Sequence, residues 1–238
     1  MNGYLIFDNR LSTEVGLRIS GFSTFDAPKR IYDTVTVPGR NGALHIDCGA
    51  FENVPMRYEA SLVHDFSKNS AALREWLLSP IGYRRLEDSY HPDTFRLARY
   101  SGGISFTNFT QLCRAAKVEL QFDCKPQRFL KIGEVLIENP TTIHNPTAFP
   151  SKPSIQFWMS SESGTVVIGD SVITINGASA GDSIMIDGET MDAINSVGEN
   201  RNSLISISND LILSGNAETA ITSTGIAKLT ITPRWWTV

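Results

Sequence analysis

The sequence predicts a mainly β protein of two domains with a single helix. Three observations predict it. Residues 117–124 read Lys-Val-Glu-Leu-Gln-Phe-Asp-Cys, so Val118, Leu120, Phe122 and Cys124 share one side; such alternation makes a strand with one buried and one wet face. Residues 154–232 fall into short apolar runs parted by turn residues, at the spacing of a β-sandwich. Helical periodicity is convincing in one place, residues 69–79, where Leu73, Trp76 and Leu77 stand at i, i+3 and i+4 and form one apolar stripe.

The elements follow in chain order. Tyr4 to Phe7 is a first strand, and Val15, Leu17 and Ile19 alternate in a second. Residues 32–63 read as strand, tight turn, strand, looped excursion, strand. Val35 and Val37 alternate with threonines, Leu44 and Ile46 resume the pattern, and Tyr58, Ala60 and Leu62 carry it on. Between them Pro38-Gly39-Arg40-Asn41-Gly42 reverses the chain: proline presets its own φ, and Gly and Asn tolerate positive φ. The helix has Ser67 and Ser70 as candidate N-caps, because a hydroxyl accepts from free backbone N–H groups, and Pro80 and Gly82 end it. Further strands are expected over residues 83–87, 95–100 and 103–109, with a loop around Pro92. The prolines at 140, 146, 150 and 153 exclude helix and mark a change of texture. This places one domain over residues 1–132, a β-barrel or sandwich-like unit with the helix, and a second over residues 133–238. In the second, strands are expected over 155–159, 165–168, 172–175, 184–187, 190–194, 204–208, 211–214 and 227–232. Gly169-Asp170-Ser171 and Gly188-Glu189 are hairpin turns.

Composition narrows the function. The chain has 238 residues, 41% of them hydrophobic and 19% charged, enough for a sizeable core and unlike a disordered chain. Residues 1–131 carry 17 Lys and Arg against 14 Asp and Glu, whereas the remainder carries 4 against 11; neither half is basic enough for a nucleic-acid binder. No apolar run approaches a membrane span, which sets the expectation of no membrane insertion. The opening MNGYLIFDNR lacks a basic region followed by an apolar one, so no Sec-type signal and a cytoplasmic site of folding are expected. Cys48, Cys113 and Cys124 form no CxxC pair and read as reduced thiols packed as small apolar side chains.

The chain offers little chemistry. Gly177-Ala178-Ser179-Ala180-Gly181 matches the G-x-S-x-G nucleophile elbow, but the elbow needs a helix after it, and residues 182–187 read as a strand. His45, His64, His91 and His144 are scattered, without metal-ligand spacing. Adjacent acids such as Glu87-Asp88 point to opposite faces of a strand. No catalytic, metal or cofactor site is expected, and none of the residues is assigned to an enzyme. Arg84, Arg85, Arg96 and Arg99 form the densest basic region and read as a solvated strand face. Trp158, Trp235 and Trp236 could stack on sugars in a carbohydrate-binding sandwich for host-surface recognition, the alternative reading, but large apolar side chains more often fill cores or interfaces.

Three segments, taken together, resemble the distal tail (Dit) proteins of long-tailed, non-contractile bacteriophages and prophages. The first is Val35-Thr36-Val37-Pro38-Gly39-Arg40-Asn41-Gly42, followed by the alternating strand from Arg57. The second is Leu73-Arg74-Glu75-Trp76-Leu77. The third runs from Asn139-Pro140-Thr141 to Pro150-Ser151-Lys152-Pro153-Ser154-Ile155. The resemblance implies a virion protein of the tail tip, assembled in the host cytoplasm. Its N-terminal domain would form a homo-hexameric ring and its C-terminal domain a galectin-like sandwich. The ring would join the tail tube protein to tail-tip and baseplate proteins and leave a channel that DNA passes without specific binding. A closed ring needs two different complementary surfaces per protomer. The expected ring surface is Val35, Val37, Pro38, Gly39, Arg40, Gly42 and Arg57, with Trp235 and Trp236 at a domain or subunit interface. The four clustered arginines are expected away from the channel wall, where they would hold DNA by its phosphates.

Overall fold

The computed structural model describes residues 3–20, 25–110 and 115–238. Contacts divide the chain into two compact units, Met1–Arg128 and Phe129–Thr237.

The first unit holds strands β1 (Leu5–Phe7), β2 (Arg10–Leu11), β3 (Leu17–Ser20), β4 (Arg30–Thr36), β5 (Ala43–Phe51), β6 (Val54–Leu62), β7 (Arg84–Asp88), β8 (Thr94–Tyr100), β9 (Phe106–Thr110) and β10 (Ala115–Leu130), whose last residues pass the division. Its main sheet is ordered β2-β1-β7-β8-β10-β6-β3, with β9 also on β10. The β6–β10 pair is its spine. Leu120 lies opposite Tyr58, Phe122 opposite Met56 and Cys124 opposite Val54, and all six are buried. The alternation read from residues 117–124 is therefore the core face of a real strand. Helix α1 (Phe66–Leu78) buries Leu73, Trp76 and Leu77 against that core. The Trp76 indole Nε1 donates to Phe7 O at 2.9 Å, so the tryptophan fills volume and also satisfies a sheet carbonyl. The N-cap is Asp65, which accepts from Lys68 N, and neither serine holds that place; Ser70 instead donates to Ser67 O. A carboxylate there also favours the positive end of the helix dipole.

The three strands expected over residues 32–63 do not share one sheet. The turn between β5 and β6 is short, β6 enters the main sheet, and β4 and β5 pair only with each other as a separate two-stranded ribbon. Alternation alone does not distinguish a strand facing a core from a strand facing solvent, which is why the two read alike.

In the second unit the strands are β11 (Ile137–Glu138), β12 (Thr142–His144), β13 (Ser154–Met159), β14 (Ser163–Ile168), β15 (Ser171–Asn176), β16 (Ser183–Asp187), β17 (Ala193–Asn195), β18 (Ile205–Ile207), β19 (Glu218–Thr224), β20 (Ile226–Thr232) and β21 (Trp236–Thr237). Two antiparallel five-stranded sheets, β11-β20-β13-β16-β17 and β12-β19-β14-β15-β18, enclose a core of Ile155, Phe157, Val166, Ile173, Ile186, Leu213, Ile231 and their neighbours. The expected strand over 211–214 is absent apart from a bridge of Leu213 to Ser151. Strand β19 sits between β12 and β14 without a sequence signal; in Glu-Thr-Ala-Ile-Thr-Ser-Thr the inward residues are Thr219 and Ile221, too weakly apolar to announce a strand. The fold is thus mainly β, with one α-helix and a second β-sandwich, as the sequence predicts.

The proline-rich passage carries the second unit's polar core. Asn145 is fully buried. Its Nδ2 donates to Phe149 O at 3.0 Å and Leu213 O at 3.2 Å, and its Oδ1 accepts from Thr147 N and Oγ1, both at 2.9 Å. Asn139, at φ 45°, accepts from Leu229 N at 2.8 Å. Two Asn-Pro-Thr triplets therefore bond backbone groups of this passage and of the chain beside it, on Thr147, Phe149, Leu213 and Leu229.

Candidate functional site

The β4–β5 ribbon is the outstanding surface of the first unit. Its register pairs Thr36 with Ala43, Val35 with Leu44, Thr34 with His45 and Asp33 with Ile46. Period-2 alternation then sorts its side chains onto two faces. One carries Val35, Val37, Leu44 and Ile46, which are 40–50% exposed. The other carries Tyr32, Thr34 and His45, with the Tyr32 and His45 rings 6.2 Å apart and Thr34 Oγ1 3.1 Å from His45 Nδ1. An isolated two-stranded ribbon has little stability of its own in water, and among the described residues neither strand pairs with a third, which leaves two open edges.

The tip and the root explain why it stands as a ribbon. At the tip, Arg40 N donates to Val37 O at 3.2 Å, and Gly39 and Gly42 take φ 80° and 81°. A Cβ at either would meet nothing, so backbone conformation rather than crowding calls for glycine. Arg40 makes no ion pair among the described residues. At the root, Arg30 pairs with Asp47 at 2.6 Å and lies over the Phe51 ring, while Glu52 N donates to Lys29 O at 2.8 Å. Arg30 and the Gly49 N–H, the latter first, hold the Asp47 carboxyl below its usual range.

Two clusters fasten this root to the main sheet. Asn53 Nδ2 donates to Tyr83 OH at 2.7 Å and to Asp123 Oδ1 at 3.0 Å, and Arg99 Nε donates to Asp123 Oδ2 at 2.8 Å. On the other strand's side, the buried Arg96 guanidinium donates to Pro126 O at 3.0 Å and to Asp26 O at 3.5 Å. Beside it Tyr58 OH donates to Asp88 Oδ2 at 2.9 Å, and Asp88 Oδ1 accepts from Tyr90 N and His91 N. Burial, and after it Arg128, lowers the Arg96 pKa; burial raises that of Tyr58 and pushes the Cys124 thiol up to about 12, which leaves it inert. Asn53 has its partners 30 and 70 residues away, at Tyr83 and Asp123, which sequence spacing does not relate; Arg96, read from the sequence as part of a solvated face, is buried, and Asp88, read only as one of two adjacent acids, bonds Tyr58.

The residues expected to act together are distributed differently. Val35, Val37, Pro38, Gly39, Arg40 and Gly42 share the ribbon. Arg57 lies on β6 in the main sheet, 3.7 Å from Glu119. Trp235 and Trp236 are half-buried within the second unit: Trp235 packs on its core, and Trp236 stacks on Phe149 at 4.5 Å and donates to Pro150 O at 2.9 Å. The basic cluster is no open basic face. Arg84 pairs with Asp8, Arg85 with Glu87 and Arg99 with Asp123, and Arg96 is buried. Cys48 is exposed on β5, unlike the packed thiol expected; Cys113 lies outside the described residues. Ser179 sits in a turn between β15 and β16, its N–H donating to Asp182 Oδ2, and a strand follows where an elbow needs a helix. Among the described residues, no group of three His, Cys, Asp or Glu side chains is placed to hold a metal, and no helix is long and apolar enough to cross a membrane.

No protein-family model matches the chain, and no curated protein matches it in sequence. Solved structures do match in fold. The Dit protein of phage SPP1, described as a paradigm of the hub adsorption apparatus in phages infecting Gram-positive bacteria, superposes with a TM-score of 0.78 at 14% identity, over 97% of this chain and 98% of that one. A chain of the phage p2 baseplate in its activated conformation with Sr superposes with a TM-score of 0.62 at 10% identity, over 97% of each. The chain has the fold of these phage proteins along its whole length.

Proposed function

We propose that the chain is a structural protein of a phage tail tip, a hub that closes into a homo-hexameric ring. Its partners are the tail tube protein on one side and tail-tip and baseplate proteins on the other. It works in the virion after assembly in the host cytoplasm, and it catalyses nothing. The observation that carries this reading is the uncovered apolar face of Val35, Val37, Leu44 and Ile46 on a ribbon tied at its root by Arg30–Asp47 and Asn53, in a chain with the fold of phage hub and baseplate proteins. Such a ribbon is one half of a heterologous contact: it must fit a different surface on the next protomer, and repetition by rotation closes the ring. Full burial of one Val, Leu or Ile side chain contributes about 1.5–3 kcal/mol, so a covered ribbon can hold neighbours together. Ion pairing of Arg84, Arg85 and Arg99 and burial of Arg96 agree with a channel that does not grip DNA, since free arginines would bind phosphate.

Native mass spectrometry tests the reading. A six-fold stoichiometry is expected, and Leu44→Asp should leave folded protomers that no longer assemble. Hexamers that survive both Leu44→Asp and Ile46→Asp would show that the ribbon is not the ring contact.

A further inference from the structure

The second unit carries a groove of about 430 Å³ on the outward side of the β13–β16–β17 sheet, bounded by the Gly181–Asp182 turn and the loop that follows β17. We propose that it binds a neutral saccharide, a function independent of ring formation. Strand alternation places Gln156 and Trp158 on the outer side of β13, because Ile155, Phe157 and Met159 face the core. Trp158 lines the groove with Gln156, Asp182, Ser183, Asn195 and Arg201. The volume lies within the range of small-ligand sites.

The composition of this wall selects the ligand. A pyranose has a face of C–H groups that packs on an indole, and hydroxyls that both donate and accept. Trp158 supplies the flat apolar surface, and the polar side chains supply groups of both kinds. Several are set in place. Gln156 Nε2 donates to Ser183 Oγ at 3.0 Å, which leaves Oε1 as an acceptor. Asp182 Oδ2 accepts from Ser179 N at 2.8 Å, which leaves Oδ1. Asn195 is held on both sides: Oδ1 accepts from Val197 N and Glu199 N, and Nδ2 donates to Glu199 Oε2 at 2.8 Å.

Charge argues for a neutral ligand. Arg201 pairs with Glu199 at 3.0 Å. Lys228, over the Trp158 ring at 5.4 Å, pairs with Glu138 at 2.7 Å. Both cations are already matched, and Asp182 would repel an anion. An apolar ligand would take water from Gln156 Oε1 and Asp182 Oδ1 without replacing its hydrogen bonds. The expected sugar-binding tryptophan is therefore Trp158, since Trp236 has its ring face on Phe149 and Trp235 packs on the core.

Calorimetric titration of the full chain with galactose, methyl glucoside and N-acetylglucosamine, and with glycerol phosphate as the anionic comparison, tests this. Saturable binding of at least one neutral sugar is expected, with a dissociation constant on the order of 1 mM, and Trp158→Ala should weaken it about tenfold or more. Should that variant lose its circular dichroism, Arg201→Ala is read instead and should weaken binding in the same direction. Failure of all three sugars to bind, tighter binding of glycerol phosphate, or undiminished binding by a folded Trp158→Ala or Arg201→Ala variant would overturn the proposal.

Discussion

Asn145 shows how much one side chain can hold in a small sandwich. It serves four partners on Thr147, Phe149 and Leu213 from a site without solvent. Asn145→Ala removes all four at once; Leu213 O keeps Ser151 N and Phe149 O keeps Thr147 Oγ1, but Thr147 N loses its acceptor in a buried site, which is costly. The expected loss is about 1–3 kcal/mol, read by chemical denaturation followed through the second unit's tryptophan fluorescence. Asp187 has a pH-dependent role. Arg234, at φ 57°, donates to both its oxygens at 2.8 Å, and these bonds lead the causes that lower the Asp187 pKa. A carboxylate with a lowered folded-state pKa adds stability above its ordinary value, about 3.9, and loses it as pH falls through the lowered one. Melting temperatures between pH 5 and pH 2 should therefore fall less steeply in Asp187→Asn than in the native chain. Little of this was legible beforehand. The Asn-Pro-Thr passage announced a junction and holds the near partners of Asn145, but Leu213 lies 68 residues from Asn145 and Asp187 lies 47 from Arg234, and sequence spacing carries no distance between them.

Elements were more legible than contacts. The β10 strand was readable because one face is core and the other wet, so burial and sequence share a period. The helix was readable because Leu73, Trp76 and Leu77 recur at its period, although its cap was not: Asp, Ser and Thr all suit that place, and geometry chose Asp65. The ribbon was readable as strands and unreadable as a ribbon. Val35, Leu44 and Ile46 have the pattern of inward residues, and in a protomer they are outward. The proposed ring would cover that face. Hydrogen exchange should show it directly, since strands on few buried contacts open easily. The amides of β4 and β5 should exchange quickly in a protomer held apart by Leu44→Asp and become protected in the native assembly, while those of β6 and β10 stay protected in both. Equal protection of β4 and β5 in the two states would place the contact elsewhere.

At the scale of the molecule, the two units divide their work. The first has one large sheet with a helix on its core and extends a ribbon. The second is a closed pair of sheets, with its polar groups gathered at Asn145 and along the Trp158 groove. The likeness to solved phage structures spans both units at identities of 14% and 10%, which shows how little sequence this fold requires: alternation, a few turns and buried volume suffice, and residues at such positions exchange freely. The proposed ring would add a condition that a single chain cannot meet. An element completed only by its neighbour would tie folding to mass action, so the order of β4 and β5 would depend on how many copies are present. Below the assembling concentration such a chain would be a folded body with an unfinished limb. Above it, each arriving copy would finish the one before, and the closed ring would be the first state in which every copy is finished.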